Sequence, residues 1–224
     1  MKKIKAVLFD LDGTLLDTLE DLYLADLETM RHFGYPEHSK DDVRRFVGNG
    51  LKKLTERSLP EGKNDPGLEE VFRYLASYYR AHAADHAVPY DGILNLMEKL
   101  KNDGIRMAVL SNKPDEDTKR LCERFFCGYT EINRGAIEGI ALKPAAHPVH
   151  ELLKDMGLRP EEAIYAGDSE VDIMTAKNAG LRCVSVTWGF RSAQALRDAG
   201  ATVLVNTPDE FYTWIHNEEE YHED

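Results

Sequence analysis

The sequence predicts an α/β protein, a Rossmann-like doubly wound parallel sheet with an inserted all-helical domain. Two observations lead there. From residue 88 onward, apolar runs of strand length alternate with amphipathic stretches of helical spacing, the pattern of a parallel sheet covered by helices on both faces. Between the first apolar run and that alternation, residues 17–87 carry helical periodicity and no convincing strand. They read as an insertion leaving just after the first strand, so the expected division is a core of 1–16 and 88–224 and a helical cap of 17–87.

The elements follow in order. Residues 4–9 form a strand that enters the acidic turn of "VLFDLDGTLL". Leu19, Leu22, Tyr23, Leu27 and Met30 share one face of a long helix, Leu51 and Leu54 mark a short one, and Leu68, Val71, Phe72, Leu75 and Tyr79 a longer one. Pro60, Gly62, Pro66 and Gly67 separate the last two. A helix over 92–101 leads to the strand "IRMAVLSN", and a further helix starts near Pro114, where proline suits a first turn. A short strand at 129–132, a helix over 148–156, the strand "EAIYAGDS", a helix over 173–179, the strand "LRCVSVTW", a helix over 193–199, the strand "ATVLV" and a helix over 208–215 complete the core. The acidic end "HNEEEYHED" reads as a frayed, solvated tail.

Composition narrows the function classes. Of 224 residues, 42% are hydrophobic and 30% charged, as in globular proteins rather than disordered or membrane ones. The apolar runs are too short to span a bilayer, and Asp10 and Asp12 interrupt the first one too early for a signal peptide. Cys122, Cys127 and Cys183 form no metal-type pair and fit packing in a reduced, cytoplasmic setting. A net charge of −12 argues against nucleic-acid or membrane partners. An anionic substrate would therefore need local cations or a metal ion. Oligomeric state is not legible, since Tyr78, Tyr79 and Trp214 suit core packing as well as a contact with another chain.

Ligands of open parallel sheets bind beyond the carboxyl ends of the strands. Four polar groups fall there: Asp10 and Asp12 after the first strand, Ser111 with Asn112 after "MAVL", Lys143 in "ALKPA", and Asp168 with Asp172 in "AGDSEVD". Singly, each has a plainer reading: an acidic turn, a helix cap, a surface lysine, another cap. Together they form a cleft of carboxylates that repel unless a cation sits among them, and an oxygen-only donor set favours Mg²⁺ over zinc. Such a cleft suits phosphoryl transfer. Asp10 is the expected nucleophile, forming an aspartyl-phosphate. Asp12 is the expected acid and base, a role that calls for a raised pKa. Ser111 and the N–H groups around Asn112 and Gly13 would bind the phosphoryl oxygens, Lys143 would bridge nucleophile and phosphate, and Asp168 would bind Mg²⁺, although charge alone does not choose between it and Asp172. Thr14 steadies the turn, and alternation along an extended chain puts Asp10 and Asp12 on one side with Leu11 on the other.

These segments carry a resemblance. "LFDLDGTLLDT", "LSN", "LKP" and "GDSEVDIMTAKNAG" resemble the four signature motifs of the haloacid dehalogenase-like phosphohydrolases, over essentially the whole chain, and the insertion resembles that family's four-helix cap. "VGNGLKKLTERSL", "SNKP" and "TWGFRS" are similar to the branch that hydrolyses 2-phosphoglycolate. The resemblance implies Asp10 as nucleophile and Asp12 as acid/base. It implies Mg²⁺ held by the Asp10 side chain, the Asp12 backbone carbonyl and Asp168, with Asp172 orienting Lys143. The substrate implied is a small phosphorylated metabolite, 2-phosphoglycolate first; a pyrophosphate, sugar phosphate, nucleotide or phosphomutase substrate would use the same chemistry, and a non-catalytic phospho-ligand module is the reading from another class. "KPAAHP" lacks the first of the family's later prolines, a gap that Pro148 fills as helix start, and His147 beside it reads as a bystander. Gly48, Asn49 and Gly50 of "VGNG" either press on the leaving group or simply end one helix and begin another. Arg44 and Arg45 before them read as helix-surface charges, and nothing marks Lys52, Lys53 or Lys63 for Schiff-base chemistry.

Overall fold

The structure, a computed structural model, describes residues 4–220. Among these, six strands form one parallel sheet in the order β5-β4-β1-β6-β7-β8. They are β1 (Ala6–Phe9), β4 (Arg106–Pro114), β5 (Ile132–Ala136), β6 (Ala163–Gly167), β7 (Arg182–Val186) and β8 (Leu204–Val205). β1 pairs in parallel with β4 on one side and β6 on the other, so the chain reverses its direction of travel across the sheet at β1. A crevice opens at such a switch point. Successive side chains of β1 divide between the faces: Val7 and Phe9 enter one core cluster, Ala6 and Leu8 the other. Both faces are covered, which is why the strands read as continuous apolar runs.

The helices fall between strands as the alternation predicts: α5 (Ile93–Asn102), α6 (Asp115–Phe126), α7 (His147–Asp155), α8 (Glu170–Ala179), α9 (Ala193–Asp198) and α10 (Pro208–Glu220). α7 does begin on His147-Pro148. α8 begins three residues before the expected 173, because Asp172 reaches back to accept from the Ser169 N–H at 3.1 Å and the Ser169 hydroxyl at 2.6 Å. The final helix runs on to Glu220 instead of fraying at 216; residues 221–224 of the expected tail and 1–3 at the start lie outside the described residues.

Between β1 and α5 stand α1 (Leu19–Phe33), α2 (Lys40–Phe46), α3 (Leu51–Ser58) and α4 (Leu68–His82), flanked by a two-residue antiparallel ribbon of β2 (Leu16–Asp17) and β3 (Val88–Pro89). The helices pack around Leu22, Val43, Leu54, Leu75 and Tyr79. α2 carries no apolar periodicity because its seven residues bury only Val43. Its signal is instead a capping box, in which Asp42 N–H donates to the Ser39 hydroxyl at 3.2 Å and Ser39 N–H to the Asp42 carboxylate at 3.0 Å. The ribbon is too short to show alternation. β5 starts where the expected 129–132 strand ends, since Tyr129 still belongs to the turn closing α6.

Candidate active site

The strand ends bring the expected residues into one cleft. Asp10 leaves β1 with its carboxylate 2.9 Å from the Lys143 ammonium. Lys143 also donates to Asp172 at 2.8 Å. Asp168 follows β6, accepting from the Thr14 hydroxyl at 3.2 Å and from the Phe190 N–H at 2.7 Å. Asp10, Asp168 and Asp172 place carboxylate oxygens within 4.8 Å of one another. Neither Asp168 nor Ser111-Asn112 serves as a helix cap, so the plainer readings of these residues do not describe them.

Burial sets the electrostatics. It pushes the Asp10 carboxyl up to about 7, against the pull of Lys143 and with the push of Asp172 and Asp12. Burial likewise raises Asp168 well above the usual carboxylate range, reinforced by Asp172 and Asp10. Lys143 is held above its ordinary value: burial alone would lower it, but Asp10 and Asp172 prevail. Three buried acids against one buried lysine leave a deficit of positive charge, and the donors are oxygens alone, a set that fits a hard divalent cation. Gly13 adds a second sign of fit. It takes φ +86°, and a Cβ there would overlap the Asp168 carboxylate, so the turn presses its bare backbone against that acid.

Several assignments change on contact with the structure. The Gly13 N–H is not offered to a phosphate, because the tight turn spends it on the Leu16 carbonyl at 2.8 Å. The Asn112 side chain is also engaged. Its amide donates to the Lys143 carbonyl at 3.0 Å and the Gly48 carbonyl at 3.2 Å, and it accepts from the Lys143 N–H at 2.9 Å. It is a tie between three segments. Asp172 turns one oxygen to Lys143 and the other to Ser169. Gly48 and Gly50 line the cavity with φ of +127° and +85°, whereas the Asn49 side chain accepts from Arg57 at 2.8 Å. Arg44 and Arg45 pair with Asp41 and Asp42 on the surface, as Lys52 and Lys53 do with Glu69 and Glu56. His147 is exposed, and the three cysteines are free.

The register explains how Ser111 and its neighbours reach the site. β4 and β5 pair regularly up to Leu110 and slip before Pro114, so 111–113 bulge out of the ladder and their side chains are re-aimed. Sequence reasoning missed what this bulge delivers. Lys113 lies 2.7 Å from Asp12 and donates to the Tyr79 hydroxyl of α4. Thr18 donates to Asp12 at 2.7 Å. The available signal was a lysine continuing an apolar strand immediately after a polar pair. Also missed was the segment 188–191, in which Trp188 donates to the Thr14 carbonyl at 3.0 Å. The Phe190 ring joins the helical cluster, and Arg191 donates to the carbonyls of Arg44 at 2.9 Å and Val47 at 2.7 Å.

A cleft of carboxylates and lysine at the switch point of a doubly wound sheet, roofed by inserted helices, defines a class, and the comparisons bear on it directly. A model of the haloacid dehalogenase-like hydrolases matches residues 7–186, so the chain belongs to that family. Phosphoglycolate phosphatase 1 of Pseudomonas aeruginosa is 32% identical over 209 residues, 90% of this chain and 76% of its own length. The phosphoglycolate phosphatase of Chromobacterium violaceum is 30% identical over 224 residues, 97% of this chain and 99% of its own. Among solved structures, a protein of Lactobacillus delbrueckii subsp. bulgaricus, provisionally named a phosphoglycolate phosphatase, superposes with a TM-score of 0.91 at 33% identity, over 96% of this chain and 99% of that one. The chain is a phosphomonoester hydrolase of this family. Among the described residues no helix is long and apolar enough to cross a membrane.

Proposed function

We propose that the chain hydrolyses a small phosphomonoester through an aspartyl-phosphate, with 2-phosphoglycolate as substrate. The observation that carries this reading is the pairing at the end of β1: Asp10 faces Lys143 at 2.9 Å while Asp12 faces Lys113 at 2.7 Å. Two carboxylates one residue apart thus have separate partners and separate work. An Asp10 oxygen attacks phosphorus as the bond to the leaving oxygen breaks, and Asp12 gives that oxygen its proton. Water then attacks the phosphoryl group, Asp12 takes the water's proton, and the Asp10–phosphorus bond breaks to release phosphate. Lys143 offsets charge beside Asp10 and the transferred group, held in place by Asp172. The Ser111 hydroxyl accepts from the Lys113 N–H at 3.2 Å, leaving its own hydrogen for a phosphoryl oxygen. Mg²⁺, held by the Asp10 and Asp168 carboxylates and the Asp12 carbonyl, would neutralise charge on the phosphoryl group.

Residues 17–87 act as a cap domain over the core formed by 1–16 and 88–224. The cavity under the helices is small, about 40 Å³, where a single water needs about 10–15 Å³ on the same measure. That supports a compact leaving group and an opening of the cap to admit it. The names of the relatives favour 2-phosphoglycolate among compact candidates. Asp10→Asn, assayed across a panel of phosphorylated metabolites, is expected to lose about 10⁶-fold in kcat, the scale on which loss of a nucleophile acts. Chelator is expected to silence the wild type until Mg²⁺ is restored. A fully active variant would end the nucleophile assignment, and a panel led by another phosphomonoester would end the substrate assignment.

A further inference from the structure

Lys113 has no step in the chemistry above, yet it stands in the cavity wall with its side chain only 2% exposed. A buried ammonium is costly unless paired. The Asp12 carboxylate and the Tyr79 hydroxyl supply that pairing. Its Nζ lies 2.7 Å from Asp12, donates to the Tyr79 hydroxyl, and sits 4.7 Å from the centroid of that ring. A lysine ammonium has three donors. Two are taken, and one is left for whatever fills the cavity.

The other cations around the cavity are engaged. Arg191 is bound to Glu170 at 2.9 Å and to the carbonyls of Arg44 and Val47. Lys143 lies between Asp10 and Asp172. Position adds to this. Asp12 protonates the leaving oxygen, so the rest of the leaving group emerges beside Asp12 and therefore beside Lys113. Resting on the phosphomonoester reading above, we propose that Lys113 is a specificity-determining residue, binding a carboxylate carried on the leaving group one carbon from the bridging oxygen. Tyr79 of α4 holds the ammonium in place, so the carboxylate site is complete only with the cap closed. With Asp12 carrying the proton it gives to the leaving oxygen, the Lys113 ammonium is balanced by one incoming carboxylate. A second phosphate group would bring twice the charge into a space of about 40 Å³ that already holds acids.

The test compares 2-phosphoglycolate with ethyl phosphate, which lacks only the carboxylate. Wild type is expected to prefer phosphoglycolate in kcat/KM by about 10²-fold or more, as sites built to pair a polar group reject analogues without it. Lys113→Met is expected to lower that preference about 100-fold, mainly through KM, over and above any loss both substrates share through Asp12. Lys113→Arg is expected to restore most of it, and glycolate should inhibit wild type competitively but not Lys113→Met. Equal losses on the two substrates would overturn the proposal and leave the phosphatase reading standing. A wild type without preference would overturn both this proposal and the assignment of 2-phosphoglycolate. Thermal melts check that Lys113→Met folds. If it does not, Tyr79→Phe decides: a several-fold fall in preference supports the proposal, and an unchanged preference overturns it.

Discussion

Asp10, Asp168 and Asp172 place carboxylate oxygens within 4.8 Å of one another, and Lys143 is the charge that lets two of them coexist in the core. Its amine touches Asp10 at 2.9 Å and Asp172 at 2.8 Å with 1% of the side chain exposed. Removing one partner of a buried ion pair leaves the other uncompensated, at about 3–5 kcal/mol. Lys143→Met is therefore expected to lose stability on that scale in urea titrations, whereas an exposed lysine would change it little. At this scale much was legible in the sequence. Asp10, Ser111 and Asp168 follow apolar strand runs directly, and such runs deliver side chains to a common edge; Asp12 and Asp172 come within four residues of them, and Lys143 lies in the loop between β5 and α7. Lys113, Thr18 and Tyr79 were not legible, because their meaning lies in contacts spanning 101, 6 and 34 residues of chain. Gly13 was given a phosphate contact by an N–H that the turn spends on the Leu16 carbonyl, and pattern alone does not tell a donor from one already occupied.

The elements were legible in proportion to their periodicity. Long helices and doubly buried strands declared themselves, while α2, β2 and β3 did not, being short and held by a cap or by each other. The β4 bulge was invisible for a different reason: a slip of register changes pairing without changing the apolar run. One junction carries a measurable pH signature. Lys5 ties β1 to the turn before β6, its ammonium donating to Glu162 at 2.8 Å and its N–H to the Glu162 carbonyl at 2.7 Å. Arg159 binds the same carboxylate at 3.3 Å, and these donors hold Glu162 well below the usual carboxylate range. A carboxyl depressed in the fold stabilises above its unfolded pKa of about 4.3 and loses that contribution as pH falls. Glu162→Gln is therefore expected to flatten the decline of the urea midpoint between about pH 4.5 and 2, with little change in slope near neutrality. Retention of the wild-type acid limb would place the titration elsewhere.

At the scale of the whole molecule, polar ties between the inserted helices and the core include Asn112 to Gly48, Lys113 to Tyr79, Arg120 to the Arg80 carbonyl, Arg124 to the Ala84 carbonyl, and Arg191 to the carbonyls of Arg44 and Val47. That the insertion departs beside the acidic turn followed from chain order alone; which residues grip it did not, since the grip is shared by the β4 bulge, α6 and a segment beyond β7. Phe190 is the telling member. Its ring packs among the helices while its N–H holds Asp168 at 2.7 Å. Phe190→Ala is expected to weaken Mg²⁺ binding about tenfold in calorimetry, the scale of partners that orient a ligand from behind, although the ring touches no carboxylate. Unaltered affinity would mean that the two ends of this residue act independently. If they do not, the coupling runs both ways. Any free energy that a closed roof lends to the ion, the ion returns to closure. On the Mg²⁺ reading proposed above, the metal-loaded chain would be biased toward the shut form before a substrate arrives, and chelation would loosen the helical roof.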